Sequence, residues 1–338
     1  MAKKKKNQHY VPEFYLKNWT IEGKNQIYVY DKKTKKSFLT NVNNVASERY
    51  FYDIDFSGIL KKEDLIEYGL PMCDIEHLDD GQYIENYFAN EIEGDFQNRI
   101  SRIIERVSRM NNWELNNCYF VNQADKLTLS YHLAIQFIRV KSLRSRFAEE
   151  SDCIEQILQD MGANPNTIEK YTVQDKHLPY LHAKMIQNRH SISELTYAFN
   201  DLTWSLFLNR TEQPFFTSDC PIGTQEHIHH PFLSMRGLRC KGVEAFFPLN
   251  PNIMLSMVDG DYHTHMKANE RRICDNCRTE NVAYYNSLQC YESERYIFSN
   301  TADFSIVDKI IAKNSRAFDF PRTEMNYGGK TYLPRNNK

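Results

Sequence analysis

Residues 123–147 read QADKLTLSYHLAIQFIRVKSLRSRF and are apolar around most of a helical circumference. Helices that are apolar on nearly every face are buried, so this segment predicts a helix at the centre of the fold. Polar side chains recur along it at spacings of four, four and three residues, which places them on one face: Thr128, His132, Gln136 and Arg139. Buried polar groups cost free energy unless partners satisfy them, and we therefore expect a polar element to face this stripe.

The residues alone leave two interpretations of the polar stripe open. The stripe could belong to a structural network of ion pairs and hydrogen bonds between helices. It could instead line a polar pocket for an anionic or phosphate-bearing ligand, with the Arg139 guanidinium as a bidentate donor.

A second helix is predicted over residues 82–110, where apolar side chains recur every three or four residues. Gly94 is its one weak point, because glycine disfavours a helix interior. Glu85 and Glu93 lie on this helix and could pair with the cations of the stripe or bind a divalent metal such as Mg²⁺. An ordinary charged flank beside the apolar face is the alternative.

The segments on either side of these helices have sequence patterns typical of strands. Residues 26–42, QIYVYDKKTKKSFLTNV, predict a hairpin, and VASERYFYD at 45–53 predicts a third strand or an extended segment. Residues 53–81 look irregular, with a possible insertion at 56–72. After two more helical segments, at about 149–161 and 178–200, short apolar runs bounded by Pro, Asn and Asp predict further strands.

The expected fold is therefore α+β, with a helical centre, an N-terminal hairpin and a C-terminal mixed or antiparallel sheet. The helical part covers about residues 82–200 and the sheet part about 204–300, within a single domain over 9–320. Residues 1–8 are expected to be a disordered basic tail, and 321–338 a C-terminal tail.

Composition narrows the class of protein. The formal net charge is −2, which gives no global electrostatic reason to expect a nucleic-acid partner, although a local patch stays possible. No run of eighteen apolar residues exists, so a membrane span is not expected. The eight cysteines follow no framework-like spacing, which favours reduced thiols and a cytoplasmic location.

The segment PFFTSDCPI at 214–222 reads as a strand that ends in polar side chains, where functional groups are often presented. Asp219 could act as a general base and Ser218 as a nucleophile, if His9 or His132 reaches them. The alternative is a turn in which the serine and aspartate side chains bond their own backbone.

A structural zinc site is not expected, although several candidate ligands occur: His227, His229, His230, His263, His265, Cys240, Cys274, Cys277 and Cys290. Zinc sites use defined ligand spacings that the histidines do not follow, and ERRICDNCRTE at 270–280 reads as helical. The sequence has no Gly-rich phosphate loop, no His-Glu-x-x-His and no Gly-x-Ser-x-Gly, which excludes the common nucleoside triphosphatases, zincin proteases and α/β-hydrolases.

Seven segments follow one another between about residues 8 and 300: QHYVPEFYLKNW, IYVYDKKT, VASERYFY, IQFIRVKSLR, PFFTSDCPI, FFPLNPNIML and YNSLQCYESERYIFS. In this order they resemble the domain of unknown function 4238 family. Twelve residues match the family's motif positions: His9, Pro12, Gln136, Arg139, Arg144, Thr217, Ser218, Asp219, Pro221, Pro248, Asn286 and Arg295. Cys220 departs from the pattern, which more often has a small polar residue there, and the histidine and cysteine clusters lie outside it.

The resemblance implies that polar side chains from distant segments, His9 included, converge on one site. The leading hypothesis is a phosphodiester hydrolase acting on RNA, DNA or a nucleotide, with His9 and Asp219 as acid and base and Ser218 as a further catalytic candidate. Its substrate-binding residues would be His132, Gln136, Arg139, Thr217, Asn286 and Arg295, and Glu85 or Glu93 would hold a metal. The alternative is a non-catalytic binding or interaction module, for example in a bacterial defence or toxin system.

Overall fold

The central helix runs from Gln123 to Arg139 in the computed structural model, which describes residues 4–54, 81–230, 234–315, 317–318 and 323–335. The backbone is extended at Val140, with φ −71° and ψ 152°, and a new helix begins at Lys141. The hydroxyl of Tyr52 donates a 2.6 Å hydrogen bond to the carbonyl of Arg139, an acceptor that a continuous helix would use internally. The single helix predicted over 123–147 is therefore two helices.

Eleven α-helices occur in the described residues. They are α1 (Glu13–Leu16), α2 (Tyr83–Tyr87), α3 (Glu93–Arg109), α4 (Asn112–Asn117), α5 (Gln123–Arg139), α6 (Lys141–Asp160), α7 (Pro165–Tyr171), α8 (Leu178–Gln187), α9 (Arg189–Asp201), α10 (Thr279–Glu292) and α11 (Ser305–Lys313). A π-helical turn, Phe88–Ile92, joins α2 to α3, so the helix predicted over 82–110 changes its winding just before Gly94.

The strands of the described residues form four sheets. They are β1 (Asn7–His9), β2 (Gln26–Asp31), β3 (Lys36–Asn41), β4 (Ser47–Arg49), β5 (Thr203–Asn209), β6 (Thr217–Ser218), β7 (Gly223–Glu226), β8 (Val243–Asn250), β9 (Ile253–Val258), β10 (Arg272–Cys277), β11 (Tyr296–Ser299), β12 (Met325–Tyr327) and β13 (Lys330–Tyr332). The largest has the order β10-β5-β9-β8-β7, and only the β10–β5 pair in it is parallel. A four-stranded antiparallel sheet has the order β3-β2-β11-β6, and β1–β4 and β12–β13 form two small ribbons.

These elements confirm the expected α+β class. The predicted hairpin is β2–β3, and β11 pairs with β2, so both ends of the chain contribute to one sheet. Most of the segment 270–280, expected to be helical, instead forms strand β10 (Arg272–Cys277) at the edge of the large sheet. The parallel neighbour β5 supplies its backbone partners, and a local sequence pattern does not show this pairing.

Described residues near both ends of the chain form strands. Strand β1 begins at Asn7, inside the segment expected to be a disordered tail, and Gln8 is fully buried. The β12–β13 ribbon lies in the segment expected to be a C-terminal tail, and the Tyr332 hydroxyl donates to Asp160 of α6 at 2.8 Å. The possible insertion at 56–72 falls outside the described residues. No helix of the described ranges has the length and apolar character to cross a membrane.

The core joins the N-terminal segment, the central helices and the large sheet. Trp19 is fully buried, and its indole N–H donates to the carbonyl of Phe215 at 3.1 Å. The ring of Tyr15 stacks on Phe247 of β8 at 5.0 Å, and α5 packs along α9. These contacts hold the segment around His9 across the end of α5.

The guanidinium of Arg139 connects three of these segments. It is 1% exposed, and its Nη2 donates to the carbonyl of His9 at 2.6 Å and to the carboxylate of Glu93 at 2.9 Å. The same group lies 4.1 Å from the centre of the Phe88 ring. One buried cation thus fastens strand β1 to both α3 and α5.

Replacing Arg139 with methionine should lower the free energy of unfolding by about 3–5 kcal/mol, because the His9 carbonyl and the Glu93 carboxylate lose their shared donor. Denaturant unfolding measures the change. Arg102→Met on the exposed side of α3 is the control and should stay within about 0.5 kcal/mol of the parent. A loss below 1 kcal/mol in Arg139→Met would contradict this role for the guanidinium.

Candidate functional site

The polar stripe of α5 faces α3, which supplies the expected polar partners. The His132 ring bonds through Nε2 to the Asp95 carboxylate at 2.8 Å and stacks on Phe96 at 5.2 Å. Burial lowers the pKa of His132 despite the opposing effect of Asp95. Thr128, at the outer end of the stripe, donates only to the carbonyl of Ala124 in its own helix.

His9 lies beside the inner end of the stripe. His9 is 8% exposed, and burial is the main cause that lowers its pKa. Its Nδ1 has no hydrogen-bond partner among the described residues. The next residue, Tyr10, accepts a 3.3 Å hydrogen bond at its carbonyl from Nε2 of Gln136. The structure therefore brings His9, Gln136, Arg139 and Glu93 together at one point.

Asp219 is the clamp that holds the start of β11. Its carboxylate is 3% exposed and accepts three backbone N–H bonds at 2.7–2.9 Å, from Glu294, Arg295 and Tyr296. Ser218 is fully buried, and its hydroxyl donates to the carbonyl of Cys220 at 3.0 Å. Across the described residues no hydrogen bond joins either side chain to His9 or His132.

The remaining predicted binding residues surround the same strand ends. Thr217 shares a 2.7 Å hydrogen bond with the Tyr15 hydroxyl, and the Asn286 side chain accepts from the Phe216 N–H and donates to the Pro214 carbonyl. Arg295 makes a two-pronged contact with Asp31 at 2.8 and 2.9 Å. These groups thus tie β2, β6, β11 and α10 to one another.

Tyr10 links the two groups of predicted residues. Its pKa is raised by burial, and the negative charge of Asp219 is the next largest cause. The segment that carries His9 is therefore within electrostatic range of the Asp219 clamp.

Glu85 and Glu93, the predicted metal ligands, both have other partners. Glu85 forms an ion pair with Lys5, and Glu93 forms one with Arg139 at 2.9 Å. In the larger histidine cluster, His227 bonds the buried Glu244 at 2.9 Å, and its ring meets that of His263 at 4.7 Å. In the described part of the chain, no group of three or more His, Cys, Asp or Glu side chains is placed to hold a metal ion.

A pocket of about 100 Å³ lies on the other side of Gln136, between the α5–α6 junction and the loop after Ser218. Its apolar wall consists of Phe137, Ile138, Val140, Leu143, Met185, Leu195 and Ile222, and its polar groups are Gln136, Ser142, Arg146, Cys220, Thr224 and Glu292. At its rim Arg236 forms an ion pair with Glu292 and donates from Nε to the carbonyl of Thr224 at 2.8 Å. We call this cavity the Gln136 pocket.

A family model described as a protein of unknown function, DUF4238, matches residues 7–303. The chain belongs to the DUF4238 family. This confirms the resemblance found in the seven sequence segments. No curated protein and no solved structure matches the chain.

In this DUF4238 chain the motif positions have identifiable contacts. Arg144 donates to the carbonyl of Phe51 at 2.8 Å and lies 3.8 Å from the centre of its ring. The carbonyl of Pro248 accepts from the Tyr15 hydroxyl at 2.7 Å. Most of the motif residues therefore hold separate segments of the fold together.

His182 is a buried polar residue that the sequence interpretation missed. Its Nε2 donates to the carbonyl of Ile138 at 2.8 Å, and its Nδ1 accepts from Arg144 at 3.3 Å. Burial lowers the pKa of His182 to about 3. A histidine four residues from both Leu178 and Ile186, on one apolar helix face, was the available signal.

Asp219→Asn should lower the free energy of unfolding by about 2–4 kcal/mol, because the amide has one acceptor oxygen for three buried N–H groups. Thermal unfolding should show a loss of several degrees. Asp261→Asn, at a carboxylate whose side chain is 90% exposed, is the matched control. An unchanged melting temperature in Asp219→Asn would contradict the clamp and favour a role in chemistry.

The stability of the DUF4238 chain should fall in acid partly through His182. Its pKa is about 3 in the folded chain, against an ordinary value of 6.5, so between these values the unfolded chain binds one more proton. Stability is therefore fully present above pH 6.5 and is lost towards pH 3, by about 1.4 kcal/mol for each pH unit.

His182→Gln keeps an amide donor for Ile138 and an acceptor for Arg144, but it cannot titrate. Denaturant unfolding at several values between pH 6 and pH 4 gives the free energy of unfolding. This free energy should fall less steeply with falling pH in the variant than in the parent, by about 1.4 kcal/mol per pH unit. His190→Gln, at an exposed histidine, is the control for replacing an imidazole with an amide. Equal slopes in His182→Gln and the parent would show that the pKa of His182 is not lowered in the folded chain.

Proposed function

We propose that this DUF4238 chain is a ligand-binding module whose Gln136 pocket takes a small, mostly apolar molecule with one N–H or O–H donor. The observation that carries the proposal is the side-chain carbonyl of Gln136. Gln136 is 2% exposed, and its Oε1 has no hydrogen-bond partner among the described residues. A buried acceptor without a partner costs roughly 1–3 kcal/mol, which a donor on a ligand would recover.

The walls of the pocket support the same ligand class. Ligand sites are mostly apolar with a few placed polar groups, and seven of the thirteen lining residues here are apolar. A dry cavity of about 150 Å³ in another protein binds benzene, so a volume near 100 Å³ with an open side suits a single ring. The wall is assembled from α5, α6, α8, α9 and the β6–β7 loop, and this rigid frame favours a preformed site.

The hydrolase hypothesis has less support from the geometry. Ser218 and Asp219 are buried, and their side-chain oxygens are used in hydrogen bonds that hold β6 and β11. Cleavage of labelled RNA or DNA by the parent, lost in a folded His9→Ala variant, would favour that hypothesis over ours. The buried thiols of Cys153 and Cys290 support a cytoplasmic location for the module.

The proposal predicts that aniline binds better than toluene, a ring of similar size in which a methyl group replaces the donor. Both should shift the methyl resonance of Met185 in protein labelled with ¹³C-methyl methionine, since Met185 lines the pocket. One hydrogen bond to Gln136 should give aniline a dissociation constant about fivefold lower.

Two matched variants locate the binding. Leu195→Phe should fill the pocket and abolish the response to both rings without touching Gln136, whereas Leu127→Phe, at an exposed position of α5, should bind as the parent does. Equal dissociation constants for aniline and toluene would contradict a hydrogen bond from the ligand to the Gln136 carbonyl. Binding that persists in Leu195→Phe would show that the ligand does not occupy the Gln136 pocket.

A further inference from the structure

Three exposed arginines follow one face of α3 and line an open groove of about 400 Å³. Arg102, Arg106 and Arg109 are four and three residues apart, so their side chains are neighbours on the helix surface. The groove continues past Met110 to Glu114 and Cys118 of the following segment.

The carboxylates of the groove leave its charge positive. The Glu114 side chain accepts from the N–H of Asn111 at 2.9 Å in the capping box of α4, and Glu105 lies 3.5 Å from Arg109. Within the described residues neither Arg102 nor Arg106 forms an ion pair. Two cationic side chains therefore face solvent along the groove.

Exposed aromatic residues adjoin the groove residues Glu114 and Cys118 in the chain. Trp113 of α4 is 69% exposed, whereas Trp19 and Trp204 are fully buried. Tyr119, which follows the groove residue Cys118, is 45% exposed, and the guanidinium groups of Arg271 and Arg272 lie 4.7 and 5.2 Å from its ring centre. Strand β10, which carries Arg272, is an edge of the large sheet, and Tyr119 forms an isolated antiparallel bridge with Arg272 there.

We propose that this arginine–aromatic groove binds single-stranded nucleic acid. Phosphates would contact Arg102, Arg106 and Arg109, and unpaired bases would stack on Trp113 and Tyr119. Duplexes keep their base faces hidden inside the stack, so they can use only the charges of the groove. The inference concerns a surface apart from the Gln136 pocket and does not rest on the proposed function.

Trp113 provides a direct signal for the test. It is the one exposed tryptophan among the three in the chain, all of which are described, so quenching by a stacked base reports on it. Twelve-nucleotide oligo(U) and oligo(dT) should each quench the emission saturably at 50 mM salt. Quenching should disappear in Trp113→Phe. Tighter binding of oligo(U) would identify RNA as the source of the strand, and tighter binding of oligo(dT) would identify DNA.

The charges are tested by anisotropy with fluorescein-labelled strands. Arg102→Gln combined with Arg106→Gln should weaken binding at least tenfold and flatten the slope of log Kd against log salt by about 1.4, at roughly 0.7 for each lost phosphate contact. Arg189→Gln combined with Lys184→Gln, at exposed positions of α9 and α8, removes the same two charges and is the control for net charge. Melting temperatures of all variants should match that of the parent.

Three results would overturn the proposal. The first is an absence of quenching and of anisotropy change at 50 mM salt. The second is equal affinity for a twelve-base-pair duplex and for the single strands, since the exposed rings would then contribute nothing. The third is an unchanged dissociation constant in the double arginine variant.

Discussion

The buried guanidinium of Arg139 is the interaction on which the rest of the arrangement depends. A cation in a nearly dry interior is tolerated only where acceptors surround it. Here those acceptors come from the carbonyl of His9 and the carboxylate of Glu93, and the Phe88 ring covers its face. Strand β1, the π-turn and α5 must therefore meet at one point, and the fold of the N-terminal half follows from that requirement.

A second constraint acts where the two ends of the chain meet. Strand β11 joins the N-terminal hairpin through β2, and the Asp219 carboxylate satisfies the backbone N–H groups at its start. Arg295 adds a contact to Asp31 of β2. The carboxylate of Asp219 and the guanidinium of Arg295, which the sequence offered as catalytic and substrate-binding groups, thus form hydrogen bonds within the fold.

Gln136 lies between this network and the pocket. Its amide nitrogen bonds the carbonyl of Tyr10, while its oxygen has no partner among the described residues. The network orients the side chain, and the same residue forms part of the pocket wall. Because the nitrogen of Gln136 is bonded and its oxygen is not, we favour ligand binding at this preformed acceptor as the function. The arginine–aromatic groove uses different chemistry, with solvated charges and exposed rings instead of a buried amide.

The sequence by itself determined the α+β class, the central helix, the hairpin and the family. Apolar periodicity reports which face of an element is buried, and the stripe that contains His132 and Arg139 predicted a polar partner correctly. Only the tertiary structure decided where α5 ends and what Asp219 binds. Tyr52 ends α5 from 87 residues away, and the Asp219 carboxylate caps a strand 76 residues further on. Contacts between such distant residues leave no local pattern, so periodicity and spacing could not reveal them.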